Sequence, residues 1–196
     1  SSELSPYCKV MTISMDVADT DGCIALLERA NNEFGQIVVL INNAGMHSRG
    51  DLETVNTTDV GAMVDINLRA PFVLSCAAIP YLKKSVSGAI VMVGSLAGMA
   101  PLQGAATYSG TKSGLRAFTY AISDELRETG IHVGLVSPGP IDTGFIMTEI
   151  DKVEDIVFSQ PMSNTNDVAD AIVSIAKGDT VEITMPASSG KLVTLS

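Results

Sequence analysis

The chain has 196 residues, 46% of them hydrophobic and 17% charged, which is enough apolar content for one sizeable core and excludes a mostly disordered chain. Its formal net charge is −10 with no cluster of Lys or Arg, which argues against nucleic acid or an anionic membrane surface as a partner. The longest apolar runs, 37–41 and 89–93, are strand-sized, so no transmembrane segment is expected.

Residues 9–17 (KVMTISMDV) read as a strand of β-branched and apolar residues. A helix over 19–34 follows, capped by Asp19 or Thr20, with Ile24, Leu27 and Phe34 on one stripe and Gly35 as its stop. Residues 36–41 form a continuous apolar strand of the kind buried on both faces, and 42–50 a loop. A long helical stretch covers 57–84, interrupted by Pro71 and Pro80. Residues 89–93 are the next buried strand, leading into a loop over 94–104. The helix over 105–129 carries Leu115, Phe118, Ile122 and Leu126 on one stripe and ends at Gly130. A strand at 131–136, a turn segment at 137–144, a helix at 166–177 closed by Gly178, and a short strand at 181–185 complete the pattern. Strand and helix alternate throughout, which predicts parallel βαβ units in an open α/β sheet and a single domain.

Tyr108 and Lys112 stand four residues apart on one helix, so phenol and ammonium share a face. A free tyrosine has a pKa of roughly 10, and a nearby cation favours the phenolate, which turns the pair into a usable acid/base. Ser95 lies thirteen residues before Tyr108, directly after a buried strand, where ligands of open α/β sheets bind. Asn42-Asn43-Ala44-Gly45 follows another strand, and its small residues let backbone approach a ligand closely. Asn67 sits mid-helix with Pro71 four residues on; the missing N–H frees an acceptor that could hold a water. Pro138-Gly139-Pro140-Ile141-Asp142-Thr143 makes a rigid loop after a third strand, with Thr143 free to donate to a carboxamide or phosphate.

In order and spacing these motifs resemble the short-chain dehydrogenase/reductase family, and the resemblance spans essentially the whole chain. It implies a Rossmann-like doubly wound parallel α/β sheet and NAD(P)-dependent hydride transfer between nicotinamide and a carbonyl or secondary alcohol. Carried over position by position, it implies a catalytic tetrad of Asn67, Ser95, Tyr108 and Lys112. Asp16 and Val17 would contact the adenine ring, while Asn43, Ala44 and Gly45 line the cofactor path. Tyr108, Lys112, Pro138, Gly139 and Thr143 would complete the cofactor contacts. A cytoplasmic homo-oligomer acting on a small-molecule carbonyl or alcohol follows from the same resemblance. Met46, Leu96, Met99, Leu102, Phe145 and Ile146 would form an apolar substrate pocket.

The family's opening strand, glycine-rich TGxxxGIG turn and first helix have no counterpart here. The expectation is therefore a domain truncated at its N-terminus, cut at its C-terminus as well, with 36–41 becoming an exposed apolar edge. The isolated 196 residues are expected to bind cofactor weakly or not at all. The choice between NAD and NADP rests on residues outside the sequence. The alternative is a non-catalytic homologue acting only as a subunit-interaction module. Cys8, Cys23 and Cys76 form no disulfide framework, and no cluster has metal-ligand spacing. His47 reads as a solvated loop histidine.

Overall fold

In the computed structural model, residues 4, 6–141 and 163–186 are described. Four strands pair in parallel in the order β1-β2-β3-β4, with β1 at Val39–Asn42, β2 at Gly88–Val93, β3 at Ile131–Pro138 and β4 at Glu182–Met185. The register aligns Leu40 with Ile90, Met92 with Leu135, and Ser137 with Thr184. Side chains along β2 and β3 alternate between two cores. Ile90, Met92, Val133 and Leu135 join one cluster, with Leu74, Ala78, Leu115 and Ile122; Val91 and Val136 join the other, with Val168, Ala171 and Ile175. Helices thus cover both faces, which is the expected doubly wound Rossmann-like arrangement.

Helix α1, Thr20–Phe34, is capped by the Asp19 side chain and closed by Gly35 at φ 80°, a left-handed position suited to glycine. Its buried face is Cys23 and Leu27; the expected stripe is displaced, since Ile24 and Phe34 lie on the exposed side. Helix α2, Thr57–Val64, and helix α3, Ala70–Leu82, are joined by a π turn over Asp65–Arg69. Pro71 has no N–H for an α-type bond to Asn67, and the turn widens: Ala70 N–H reaches back five residues to Asp65. The expected break at Pro71 is therefore a π bulge, and Pro80 is accommodated near the end of α3 without interrupting it. This 26-residue stretch, Thr57–Leu82, has the length and composition of a membrane span. Leu74, Ala78 and Leu82 nonetheless sit in the core, and Phe72 stacks on Phe118 at 3.9 Å.

Residues 9–17 correct the sequence reading. Burial alternates from Ile13 to Val17 as in a strand, and Met15 packs on the core, but the segment pairs with no strand among the described residues. An extended chain becomes a strand only when a neighbour takes its N–H and C=O groups. The described sheet ends at β1, where Val39 and Ile41 are 40% and 47% exposed, the expected apolar edge rather than a strand buried on both faces.

Helix α4, Ala106–Glu125, buries Leu115 and Ile122, followed by Leu126, and is held to the sheet by one carboxylate. Glu182, at the start of β4, accepts from Arg116 (2.8 and 3.0 Å), from Tyr120 Oη (2.6 Å) and from Ser137 Oγ (2.9 Å). Burial pushes this carboxyl up, but the bonds from Arg116, Tyr120 and Ser137 together hold it below the usual carboxylate range. Helix α5, Thr165–Ala176, packs close to β3 because Gly134 has no Cβ, which would lie 2.7 Å from Ile175 Cγ2. Glu182→Ala is expected to cost about 1–3 kcal/mol in urea unfolding. That is below the cost of breaking a fully buried pair, because Arg116 keeps access to water.

Candidate active site

The C-terminal ends of β1 and β2 and the first half of α4 meet at one place. Beyond Val93, Ser95 is extended (φ −167°, ψ 155°) and caps a 3₁₀ turn, Leu96–Gly98, its Oγ accepting the Ala97 N–H at 3.2 Å. That turn lies directly on α4. A Cβ on Gly98 would stand 2.7 Å from the Lys112 carbonyl oxygen, and Ser113 Oγ donates to the Gly98 carbonyl at 3.0 Å. Ser109 Oγ accepts the Leu102 N–H at 3.2 Å, so the segment following β2 is fastened along the helix that carries Tyr108. Gly98→Ala must push backbone from backbone; a loss of about 1–3 kcal/mol is expected, read as a lowered urea midpoint.

Tyr108 is half-buried, and Ser95 lies close enough to act on its phenol. The His47 ring meets the Tyr108 ring edge-on, with centroids 4.5 Å apart at 70°. Lys112 is 6% exposed; its Nζ donates to the Val93 carbonyl at 2.8 Å and lies 5.7 Å from the Tyr108 ring centroid. Burial pulls its pKa down to about 8. Burial also pushes the Tyr108 phenol above its ordinary value, against the opposing pull of Ser95 and the Arg49 charge. The expected lowering by Lys112 is thus not what the geometry gives. The ammonium is engaged by the Val93 carbonyl, and desolvation dominates the phenol.

Asn67, 1% exposed, sits in the π turn, where its side chain both accepts the Met46 N–H and donates to the Met46 carbonyl, each at 2.8 Å. It also donates to Thr111 Oγ1 at 3.4 Å, and Thr111 donates to the Tyr108 carbonyl. Its side chain therefore pins the loop after β1 and ties it to α4, whereas the sequence reading used only its carbonyl. A Cβ on Gly45 would be 3.4 Å from Asn67 Oδ1 and 3.9 Å from Lys112 Nζ, so the bare glycine leaves space between these two groups. Asn43, Ala44 and Gly45 are exposed loop residues. Beneath them the buried Asn42 Oδ1 has no hydrogen-bond partner, although its Nδ2 meets Ser75 and Met92.

The remaining expected contacts are more scattered. Pro138 is the last residue of β3, and the Gly139 N–H bonds to the Met185 carbonyl at 2.7 Å, at the same end of the sheet. Thr143 lies outside the described residues, as do Phe145 and Ile146 of the expected pocket. Asp16 and Val17 form the turn before α1: Asp16 accepts the Ala18 N–H at 2.8 Å, and the Val17 carbonyl accepts from Cys23. Neither contacts the Tyr108 group among the described residues. Sequence reasoning missed Arg49, Gly98 and Thr111, and set His47 in solvent. Gly98 gave a faint signal as a glycine in a small-residue turn; the others gave none, because their roles depend on which loop folds over Tyr108.

An open parallel α/β sheet with a Ser, Tyr, Lys and Asn group at its strand ends defines a Rossmann-like protein. The model of the short chain dehydrogenase family matches residues 3–184. This chain belongs to the short-chain dehydrogenase/reductase family. It is 38% identical over 130 residues to an uncharacterized oxidoreductase of Staphylococcus saprophyticus, covering 65% of this chain and 53% of that protein. It is 33% identical over 177 residues to the ketoacyl reductase HetN of Nostoc sp., covering 89% of this chain and 60% of that protein. The chain thus spans a little over half the length of these relatives. In fold it is similar to a gluconate 5-dehydrogenase of Burkholderia cenocepacia solved in complex with NADP and tartrate. That likeness has TM-score 0.81 at 21% identity and covers 90% of this chain and 74% of the other.

Proposed function

We propose that the protein, as a single-domain enzyme, transfers hydride between a nicotinamide cofactor, NAD or NADP, and a carbonyl or secondary alcohol of a small molecule. The observation that carries this reading is that Lys112, beside Tyr108 and Ser95, flanks together with Asn67 the open space at Gly45. The donor set suits a nicotinamide nucleotide: a buried ammonium with donors to spare, a side-chain-free glycine, and exposed small residues beside it. Asn43, Ala44, Gly45, Tyr108 and Lys112 would hold that cofactor, with Pro138, Gly139 and Thr143 at the end of β3 and Asp16 and Val17 toward the adenine. When bound, the nicotinamide supplies or accepts the hydride.

The chain's own residues manage the proton. Tyr108, kept protonated near neutrality by burial, gives its proton to the substrate oxygen in reduction and takes one back in oxidation. Ser95 orients that oxygen and steadies the phenol. Lys112, held by the Val93 carbonyl, turns its remaining ammonium donors toward the space at Gly45, where they would hold the cofactor. Asn67 fixes the loop bearing Asn43–Gly45 through Met46, which sets the space for reaction. A cytoplasmic location accords with Cys8, Cys23 and Cys76, all free thiols. The test is NADH and NADPH oxidation by the protein against a panel of ketones and aldehydes, together with direct titration of both cofactors. No binding and no turnover with either cofactor would defeat the reading.

A further inference from the structure

The loop between β1 and α2 is tied down on both sides of Arg49. At one side the Asn67 side chain holds both backbone groups of Met46, and at the other the Gly50 N–H donates to the Gly104 carbonyl at 3.0 Å. Gly104 lies four residues before Tyr108, and between the two ties the His47 ring rests on the Tyr108 ring. Arg49 precedes Gly50 directly, its Cα about 3.8 Å from a pinned backbone position. The loop therefore carries this cation to the mouth of the Tyr108 site, near enough that its charge favours the phenolate. Lys9, Arg69, Arg116 and Arg127 are each matched to a carboxylate. Arg49 makes no ion pair or side-chain hydrogen bond among the described residues, although Asp51 and Glu53 follow within four positions and the chain carries a net charge of −10. A half-buried arginine unmatched among the described residues, on the loop packed against Tyr108, has its planar fork available for the oxygens of an anion.

We infer that Arg49 is an anion subsite that selects substrates bearing a carboxylate or phosphate near the carbonyl or hydroxyl carbon presented to Tyr108. This rests on the oxidoreductase reading above. Arg49 gives the anchor for that anion, with the apolar Met46 on the same loop.

The experiment uses matched probes: levulinate against methyl levulinate for a carboxylate, and dihydroxyacetone phosphate against dihydroxyacetone for a phosphate. The measured quantity is the ratio of kcat/KM for the anionic to the neutral member. Because loss of Arg49 also alters the phenol, absolute rates change for both members, and only the ratio isolates anchoring. Wild type is expected to favour the anionic member of at least one pair, Arg49→Ala to lower that ratio about tenfold or more, and Arg49→Lys to recover part of it. The pair that responds distinguishes carboxylate from phosphate. An unchanged ratio, or a wild-type preference for the neutral members, overturns the subsite. Saturation-transfer NMR with the same probes is independent of turnover: the anionic probe should receive saturation from wild type and lose it in Arg49→Ala. No transfer to either anionic probe in wild type also overturns the subsite. Transfer without turnover of any probe would leave the subsite standing, and the oxidoreductase reading is decided separately by the cofactor titration above.

Discussion

Replacing Tyr108 by Phe is expected to lower kcat/KM by roughly 10²–10⁴ while leaving the fold intact, because it removes the proton and almost nothing else. The ring keeps its edge contact with His47, and only the polar interaction of the hydroxyl with Ser95 is lost. Burial holds the phenol protonated near neutrality, so wild type should favour carbonyl reduction there, and the reverse reaction should gain as pH rises toward the raised phenol value. Initial rates in both directions, with a urea unfolding curve and cofactor titration on each protein, check the prediction. A variant that keeps near wild-type turnover would remove Tyr108 from the chemistry. A variant that loses cofactor binding as well would point to a positional role for the hydroxyl.

Much of this arrangement was legible in the sequence because short-range rules wrote it. Helix α4 showed its inward stripe and its Gly130 stop, the strands at 89–93 and 131–136 read as buried runs, and the four-residue spacing placed Tyr108 and Lys112 on one face. What escaped depends on contacts between distant segments. Residues 9–17 have the composition of a strand, yet strand formation is a property of a pair, and no partner is in register with them among the described residues. Pro71 announced a disturbed helix, but only the packing of α2 and α3 decides between a break and a π bulge. At the site, spacing said that Lys112 and Tyr108 are near each other; it could not say that the ammonium would take the Val93 carbonyl, because that carbonyl belongs to another element. Gly98 shows the same limit, since the need for a bare Cα arises from the Lys112 backbone lying against it.

Lys112→Met should abolish most activity and remove a gain in stability that the wild type makes at alkaline pH. The second effect follows from the sign of the shift. The lysine pKa falls to about 8 in the folded protein from 10.5, because burial penalises the ammonium. Between those values the unfolded chain binds more protons at this position than the native one, so unfolding free energy rises with pH across that window. For an isolated site with these two values the gain from pH 8 to pH 10 is about 2 kcal/mol. Cys23 and Tyr108, both pushed up by burial, act in the opposite sense, since the native state keeps their protons longer as pH rises. They are present in both proteins, so the difference between wild type and Lys112→Met isolates the lysine. Urea unfolding at pH 8, 9 and 10 should show the two stabilities diverging by about 2 kcal/mol, with wild type gaining relative to the variant. Parallel curves would mean that the ammonium is solvated in the native protein. Methionine fills a similar apolar volume but offers no donor to the Val93 carbonyl or to the space at Gly45. The accompanying fall in kcat/KM is expected at roughly 10²–10³, the usual effect of removing one placed electrostatic donor. Lys112→Arg should not restore it, because a planar guanidinium cannot occupy a space shaped for a compact ammonium between Gly45 and the Val93 carbonyl.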